Sequence, residues 1–412
     1  MAKRRTLRLA GPVALVALAV LAGGQARADA VSEWNIREGR IITTAGVSTP
    51  EANRIMAISH TAAYEAANAI SRRYAGSGSS LHPEPGASIE AAIAAAHRSA
   101  LSELIPAQQA LIDRAYEDAL QGIADDAHRS PGIAIGNEAA MAVLARRADD
   151  TTAAGAPESY LPSAIPGRYV PTLIPVATQW PQRRPWLMSS AAQFRPGPPP
   201  ALSSSIWARD LNEVKTIGAR SGSSRNAEQA AVARFWEATL PTIYHGLIRS
   251  IATQPGRELT QNARLFAAAT QAADDAIIAV FDAKYHYGFW RPITAIRNAA
   301  SDGNEATQPD ATWLPLIDTP LHPEYPCAHC IVAAAIGAVV QAEIDAGAQP
   351  TLSTSSPTAH DAVRSWNSVE AFMQEVDNAR IYDGVHYRNS TEVGTAMGLR
   401  IGALAVARFS QR

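Results

Sequence analysis

Eleven of the 27 prolines fall between Pro157 and Pro200, ending in the run Pro196-Gly197-Pro198-Pro199-Pro200. Proline removes the helical N–H and clashes with the preceding turn, so residues 150–203 cannot hold a helix. They are expected to run as an extended linker that wraps the surface or covers a cavity mouth. On both sides the pattern is helical. Ile55, Ile58, Ala62 and Ala66 follow Pro50-Glu51 at helical spacing, and residues 88–104, 107–124 and 132–147 are Ala-rich with one apolar side. The pattern returns at 205–218, 225–239, 241–253, 259–284, 330–346 and 390–410, and Asn389 with Glu392 reads as the amino-terminal cap of the last segment. No run of alternating β-branched residues argues for a sheet. The expected fold is all-α, a helical bundle, with a helical region over 31–149, the Pro-rich cover over 150–203 and a second helical region over 204–412.

Residues 1–30 read as a signal peptide. Ala2-Lys3-Arg4-Arg5 is a basic start, residues 9–22 are an apolar run, and Ala26-Arg27-Ala28 permits cleavage after Ala28 or Ala30. The chain is therefore expected to be exported, to the periplasm or outside the cell. No later segment has the ~18 uninterrupted apolar residues of a transmembrane helix. With 47% hydrophobic and 18% charged residues and a net charge of −2, composition argues against nucleic acid as a partner. A preference for anions must come from a local cluster. Cys327 and Cys330 are the only cysteines; Ile331 after them excludes a c-type haem motif, and two thiols cannot complete a structural zinc site. His60 and His97 read as helix-surface or satisfied core positions.

Three clusters in the carboxy-terminal half supply cations and imidazoles: Lys284 with Arg291-Pro292, the stretch from His322 to His329, and Arg380 with His386. Three fixed cations suit a tetrahedral oxyanion, since guanidinium forks meet its oxygens two at a time. A helix starting near 328 would add backbone N–H groups. One imidazole is then placed as ligand or nucleophile and another as proton exchanger, roles that favour titration near neutral pH.

Lys284-x6-Arg291-Pro292, Pro326-Cys327-Ala328-His329 and Arg380-x5-His386 resemble, in order and spacing, the motifs of the superfamily of type 2 phosphatidic-acid phosphatases and vanadium-dependent haloperoxidases. The resemblance covers roughly residues 265–410, and export without a membrane span matches the soluble, all-helical haloperoxidase-like branch. It implies that Lys284, Arg291 and Arg380 bind the oxygens of vanadate or phosphate, with His386 as the axial vanadate ligand or, in a phosphatase, the phosphorylated residue. His329 would be the acid–base group on the opposite face. Cys327 stands where the family has a Ser that donates to the anion, and Ala328 where it has Gly. His322 resembles the His found there in bromide- and iodide-oxidising members.

Ser390 occupies the place where many members have Asp. A Ser orients the imidazole without adding charge, so His386 is expected to be less basic than in an Asp-paired site. The resemblance implies oxidation of bromide or iodide with hydrogen peroxide on bound vanadate. The alternative is a metal-free acid phosphatase acting on a phosphate ester through phospho-His386. Readings from other classes are a non-catalytic anion binder and a thiol–disulfide protein built on Cys327 and Cys330. A homo-oligomer is compatible with all of these. Glu237, Tyr244 and His245 are expected as surface or core groups rather than site residues, and Asp282 as a helix-face charge.

Overall fold

Helix α9, Leu259–Tyr287, is the longest element in a computed structural model describing residues 29–75, 81–82, 85–124, 127–151 and 163–410. The expected signal segment lies, up to residue 28, outside the described residues. The amino-terminal region holds α1 (Ala30–Ala45), α2 (Thr49–Ser71), α3 (Ile89–Leu104), α4 (Gln109–Gln121) and α5 (Arg129–Arg146). After the Pro-rich segment come α6 (Ser205–Ile217), α7 (Ala227–Phe235) and α8 (Thr242–Ala252), then α9 itself. The chain continues through α10 (Pro292–Arg297), α11 (Ala328–Asp345), α12 (Val369–Tyr382) and α13 (Arg388–Phe409). The fold is all-α with one small antiparallel hairpin, β1 (Leu352–Ser356) and β2 (Ala362–Trp366), paired from Leu352↔Trp366 to Ser356↔Ala362. That hairpin is absent from the sequence expectation. Its serine-rich strands carry no alternation, and tertiary bonds hold them: Thr354 Oγ1 donates to Ile243 O of α8 at 2.7 Å and Ser356 Oγ to Phe235 O at 2.6 Å.

Most of α9 is buried because its residues are small on nearly every side: Ala267–Ala269, Ala272, Ala273, Ala276 and Ala279 allow helices to approach all round it. It packs on α2 and on α11 and α13, so one apolar core runs through both helical regions. α11 is long and apolar enough to cross a membrane by composition, but it lies among α9, α12 and α13, and its apolarity fills the core.

Two boundaries depart from expectation. α1 begins with Asp29, whose Oδ1 accepts the Ser32 N–H at 2.8 Å. Cleavage after Ala28 leaves this cap in place; cleavage after Ala30 removes it. α13 starts at Arg388 with Tyr387 as its cap, not at Asn389, because the Asn389 N–H is taken by Asp210 Oδ2 at 2.8 Å. His60 and His97 are fully buried rather than on a helix surface.

The Pro-rich segment is strapped to α9 by three acids. Asp275 accepts the backbone N–H groups of Trp186, Leu187 and Met188, Asp274 accepts the Trp186 indole N–H, and Asp282 takes the Arg195 fork at 2.7 Å. Asp282 is thus an anchor, more than a face charge. Upstream of these anchors the segment lays Val176 to Trp180 along a cavity of about 470 Å³.

Glycines on α13 set its distance from α11. A Cβ on Gly398 would stand 2.2 Å from Ile331 O and 2.8 Å from the Ala334 Cβ, both in α11. These helices carry the two ends of the candidate site, so their separation matters to it. Gly398→Ala is expected to cost about 2 kcal/mol or more by overpacking, read as a lower urea midpoint with an unchanged m-value.

Candidate active site

The three cations come from separate elements. Lys284 lies in the last turn of α9, which Gly288 ends in a left-handed conformation (φ 56°). Arg291 caps α10, with Pro292 at its first turn, so this proline opens a short helix as well as ending the previous pattern. Arg380 lies in the last turn of α12, a helix the sequence reading leaves out. All are buried, at 0%, 1% and 2% exposure.

Backbone carbonyls hold them. Lys284 Nζ donates to Pro323 O at 3.0 Å and Glu324 O at 2.7 Å. Arg291 donates through Nε to His322 O at 2.9 Å and through Nη1 to Val385 O at 2.8 Å. Arg380 Nη1 donates to Trp236 O at 2.8 Å and pairs with Asp383 Oδ2 at 2.8 Å. Burial first, then the neighbouring Arg291, holds the Lys284 ammonium well below its ordinary range, against the pull of Glu324. Arg291 is lowered to about 10, again mainly by burial.

His386 is oriented by a residue the sequence reading does not assign. Its Nδ1 lies 2.7 Å from Glu324 Oε1, and both side chains are buried. The same oxygen accepts the Tyr387 N–H at 3.2 Å. Oε1 is therefore an acceptor, Nδ1 carries the proton, and the lone pair is left on Nε2. Nε2 stands 3.4 Å from Arg291 Nη1, among the cations. Ser390 Oγ lies at 3.5 Å from Nδ1, beyond a good hydrogen bond. The expectation that His386 lacks an anionic partner is thus corrected: Glu324 supplies the charge from another loop. The imidazole is held well below its ordinary range, by burial first and by Arg291 next. Burial raises the Glu324 carboxyl to about 7, with Lys284 and Arg291 opposing. A signal existed, since Glu324 is the sole acid between Asp318 and Glu343.

His329 sits in the first turn of α11 and lines the cavity with Ala328, Arg380 and His386. Its Nε2 donates to Ala238 O at 3.1 Å, which leaves the lone pair on Nδ1. Burial and then Arg380 hold it neutral, so neither His329 nor His386 titrates near neutral pH as expected. His322 also lines the cavity, edge-on to Phe281 with centroids 5.3 Å apart, and its Nδ1 accepts from Arg291 Nη2 at 2.9 Å.

Cys327 does not offer a thiol donor. It is paired with Cys330 in a disulfide, and its sulfur accepts the Cys330 N–H at 3.2 Å as the cap of α11. Ala328 opens α11 in helical backbone, where a Cβ costs nothing. Glu237 and Tyr244 line the cavity after all, whereas His245 points into a separate cluster with Asn35.

These residues fit a tetrahedral oxyanion. The three buried cations are countered by Glu324 and, at Arg380, by Asp383, with Glu237 and Asp318 also on the cavity wall. Two of the three Lys284 N–H groups are used, and Arg380 Nε is buried without a hydrogen-bond partner. An oxyanion would satisfy the spare donors and offset the mutual repulsion.

Comparison with known proteins bears on the fold. Residues 264–412 match the family model of the VCPO second helical-bundle domain. A bacterial vanadium-dependent iodoperoxidase is similar over 92% of this chain and 95% of its own, at 25% identity and a TM-score of 0.78. The holo form of a bacterial vanadium-dependent chloroperoxidase covers 90% of this chain and 95% of its own at 18% identity (TM-score 0.73). The apo form of a bacterial vanadium-dependent chloroperoxidase covers 88% and 93% at 16% identity (TM-score 0.70). No curated protein matches the chain by sequence. Domain match and fold together support the haloperoxidase-like branch of the superfamily.

Glu324→Gln keeps the shape but removes the charge that fixes the His386 tautomer. It is expected to weaken orthovanadate binding by about 10–100-fold, with Ser390→Ala changing it little, measured by calorimetric titration.

Proposed function

We propose that the protein is a vanadium-dependent haloperoxidase that oxidises bromide or iodide with hydrogen peroxide. The observation that carries this reading is the lone pair of His386 Nε2, fixed by Glu324 and set among three buried cations. Vanadate, when bound, supplies an oxyanion Lewis acid that activates hydrogen peroxide toward halide. Lys284, Arg291 and Arg380 would hold its oxygens, and His386 Nε2 would be its nitrogen ligand. The cations are already in place before charge develops, so little reorganisation accompanies the reaction.

Halide, peroxide and one proton give hypohalous acid and water, so the site must move a proton. His329 Nδ1, neutral and on the cavity wall, is the group placed to accept and return it. His322 and Phe281 form one part of the cavity wall, and Val176, Ala177, Gln179 and Trp180 of the strap form another. Likeness to an iodoperoxidase across nearly the full chain supports this branch, and iodide among its halides, over the phosphatase.

On the purified chain, bromide- or iodide-dependent peroxidase activity is expected only after orthovanadate is added. His386→Ala should lower it by at least ~10²-fold. Phosphate-ester hydrolysis that vanadate inhibits, with no halide oxidation, would instead assign the same clamp to a phosphatase with His386 as nucleophile.

A further inference from the structure

A second group of buried polar side chains lies in the amino-terminal bundle, and none of it lines the cavity. Glu38 comes from α1, His60 from α2 and His97 from α3, and each is 0% exposed. Glu38 Oε2 stands 3.3 Å from His60 Nε2 and 3.6 Å from His97 Nδ1, and the three atoms all lie within 4.8 Å of one another. Ligands sharing one tetrahedral zinc at bonds of about 2.0–2.1 Å stand roughly 3.4 Å apart. We propose that Glu38, His60 and His97 bind a divalent transition-metal ion, zinc suiting the donor set best, which ties α1, α2 and α3 together.

The surroundings support an ion here. Buried polar atoms ordinarily find partners, yet two of the three would-be ligand atoms, Glu38 Oε2 and His97 Nδ1, have no hydrogen bond. Glu38 Oε1 accepts from Ser59 Oγ, which orients the carboxylate and leaves Oε2 for the ion. Trp34 stacks on His97 at 5.1 Å and Phe266 on His60 at 4.9 Å, so both imidazole planes are held by packing. An unpaired carboxylate in such a place demands a proton or a cation. Zinc in place of that proton charges the carboxylate and keeps both imidazoles neutral, the forms a metal requires.

Two further groups border the site. Asn35 Nδ2 lies 3.1 Å from His60 Nε2 and 2.7 Å from His245 Nδ1, and Asn35 Oδ1 accepts from Arg249 Nη1 at 2.6 Å. An ion on His60 Nε2 takes the lone pair that Asn35 approaches. The Asn35 amide keeps its bonds to His245 and Arg249, and so spaces the guanidinium from the ion. The remaining coordination positions fall to Glu38 Oε1 or water.

The test is elemental analysis of the full chain, purified without chelator and also refolded with zinc or cobalt(II). About one equivalent of metal per chain is expected, with zinc-edge absorption showing two imidazoles. His97→Gln and Glu38→Gln should lower the metal content at least tenfold while leaving orthovanadate binding intact, which separates this site from the one at His386. Less than a tenth of an equivalent under every condition would overturn the proposal, and so would a metal content unchanged in both variants. Should the variants fail to fold, the cobalt-refolded wild type decides: visible bands of a four- or five-coordinate N/O site support it, and their absence overturns it.

Discussion

Lys284, Arg291 and Arg380 repel one another inside a protein of almost no net charge, and the loops around them are shaped by how that repulsion is offset. Five carbonyls, those of His322, Pro323, Glu324, Val385 and Trp236, turn inward to accept their N–H groups. Two carboxylates, Glu324 and Asp383, supply opposing charge close by. A buried cation without such partners would be destabilised by several kcal/mol. The stretch 320–327 is thus a backbone cradle as much as a connection between helices, and an oxyanion completes it.

That arrangement depends on the approach of α11 to α13 and on the mast provided by α9. Gly394, Gly398 and Gly402 let α13 lie on α11, bringing His386, just before α13, to the first turn of α11 where His329 sits. α9 delivers Lys284 from within the same core and anchors the Pro-rich strap through Asp274, Asp275 and Asp282. The strap, the clamp and the cavity between them therefore share one rigid support.

Much of this was legible in the residues. Helical periodicity located most of the helices to within a few positions, and the spacing of Lys284, Arg291, His329, Arg380 and His386 named the clamp. What stayed hidden was set by tertiary contact. α1 and α12 bury polar groups among their apolar ones: Asn35 and Glu38 in one, Arg380 in the other. The hairpin is held by side chains bonding to distant carbonyls. Glu324 sits 62 positions from its imidazole, and no local pattern pairs them. Ser390, four residues after His386, had the expected spacing but stands too far away to do the same work. The grouping of Glu38, His60 and His97 is of the same kind, visible only once three helices converge.

The central claim is that His386 Nε2 presents its lone pair among the three cations. X-ray absorption at the vanadium edge of the orthovanadate-loaded protein tests it most directly. The account predicts a nitrogen ligand from imidazole that disappears in His386→Ala and persists in His329→Ala. Vanadium bound through oxygen alone, or a nitrogen signal indifferent to His386, would contradict it.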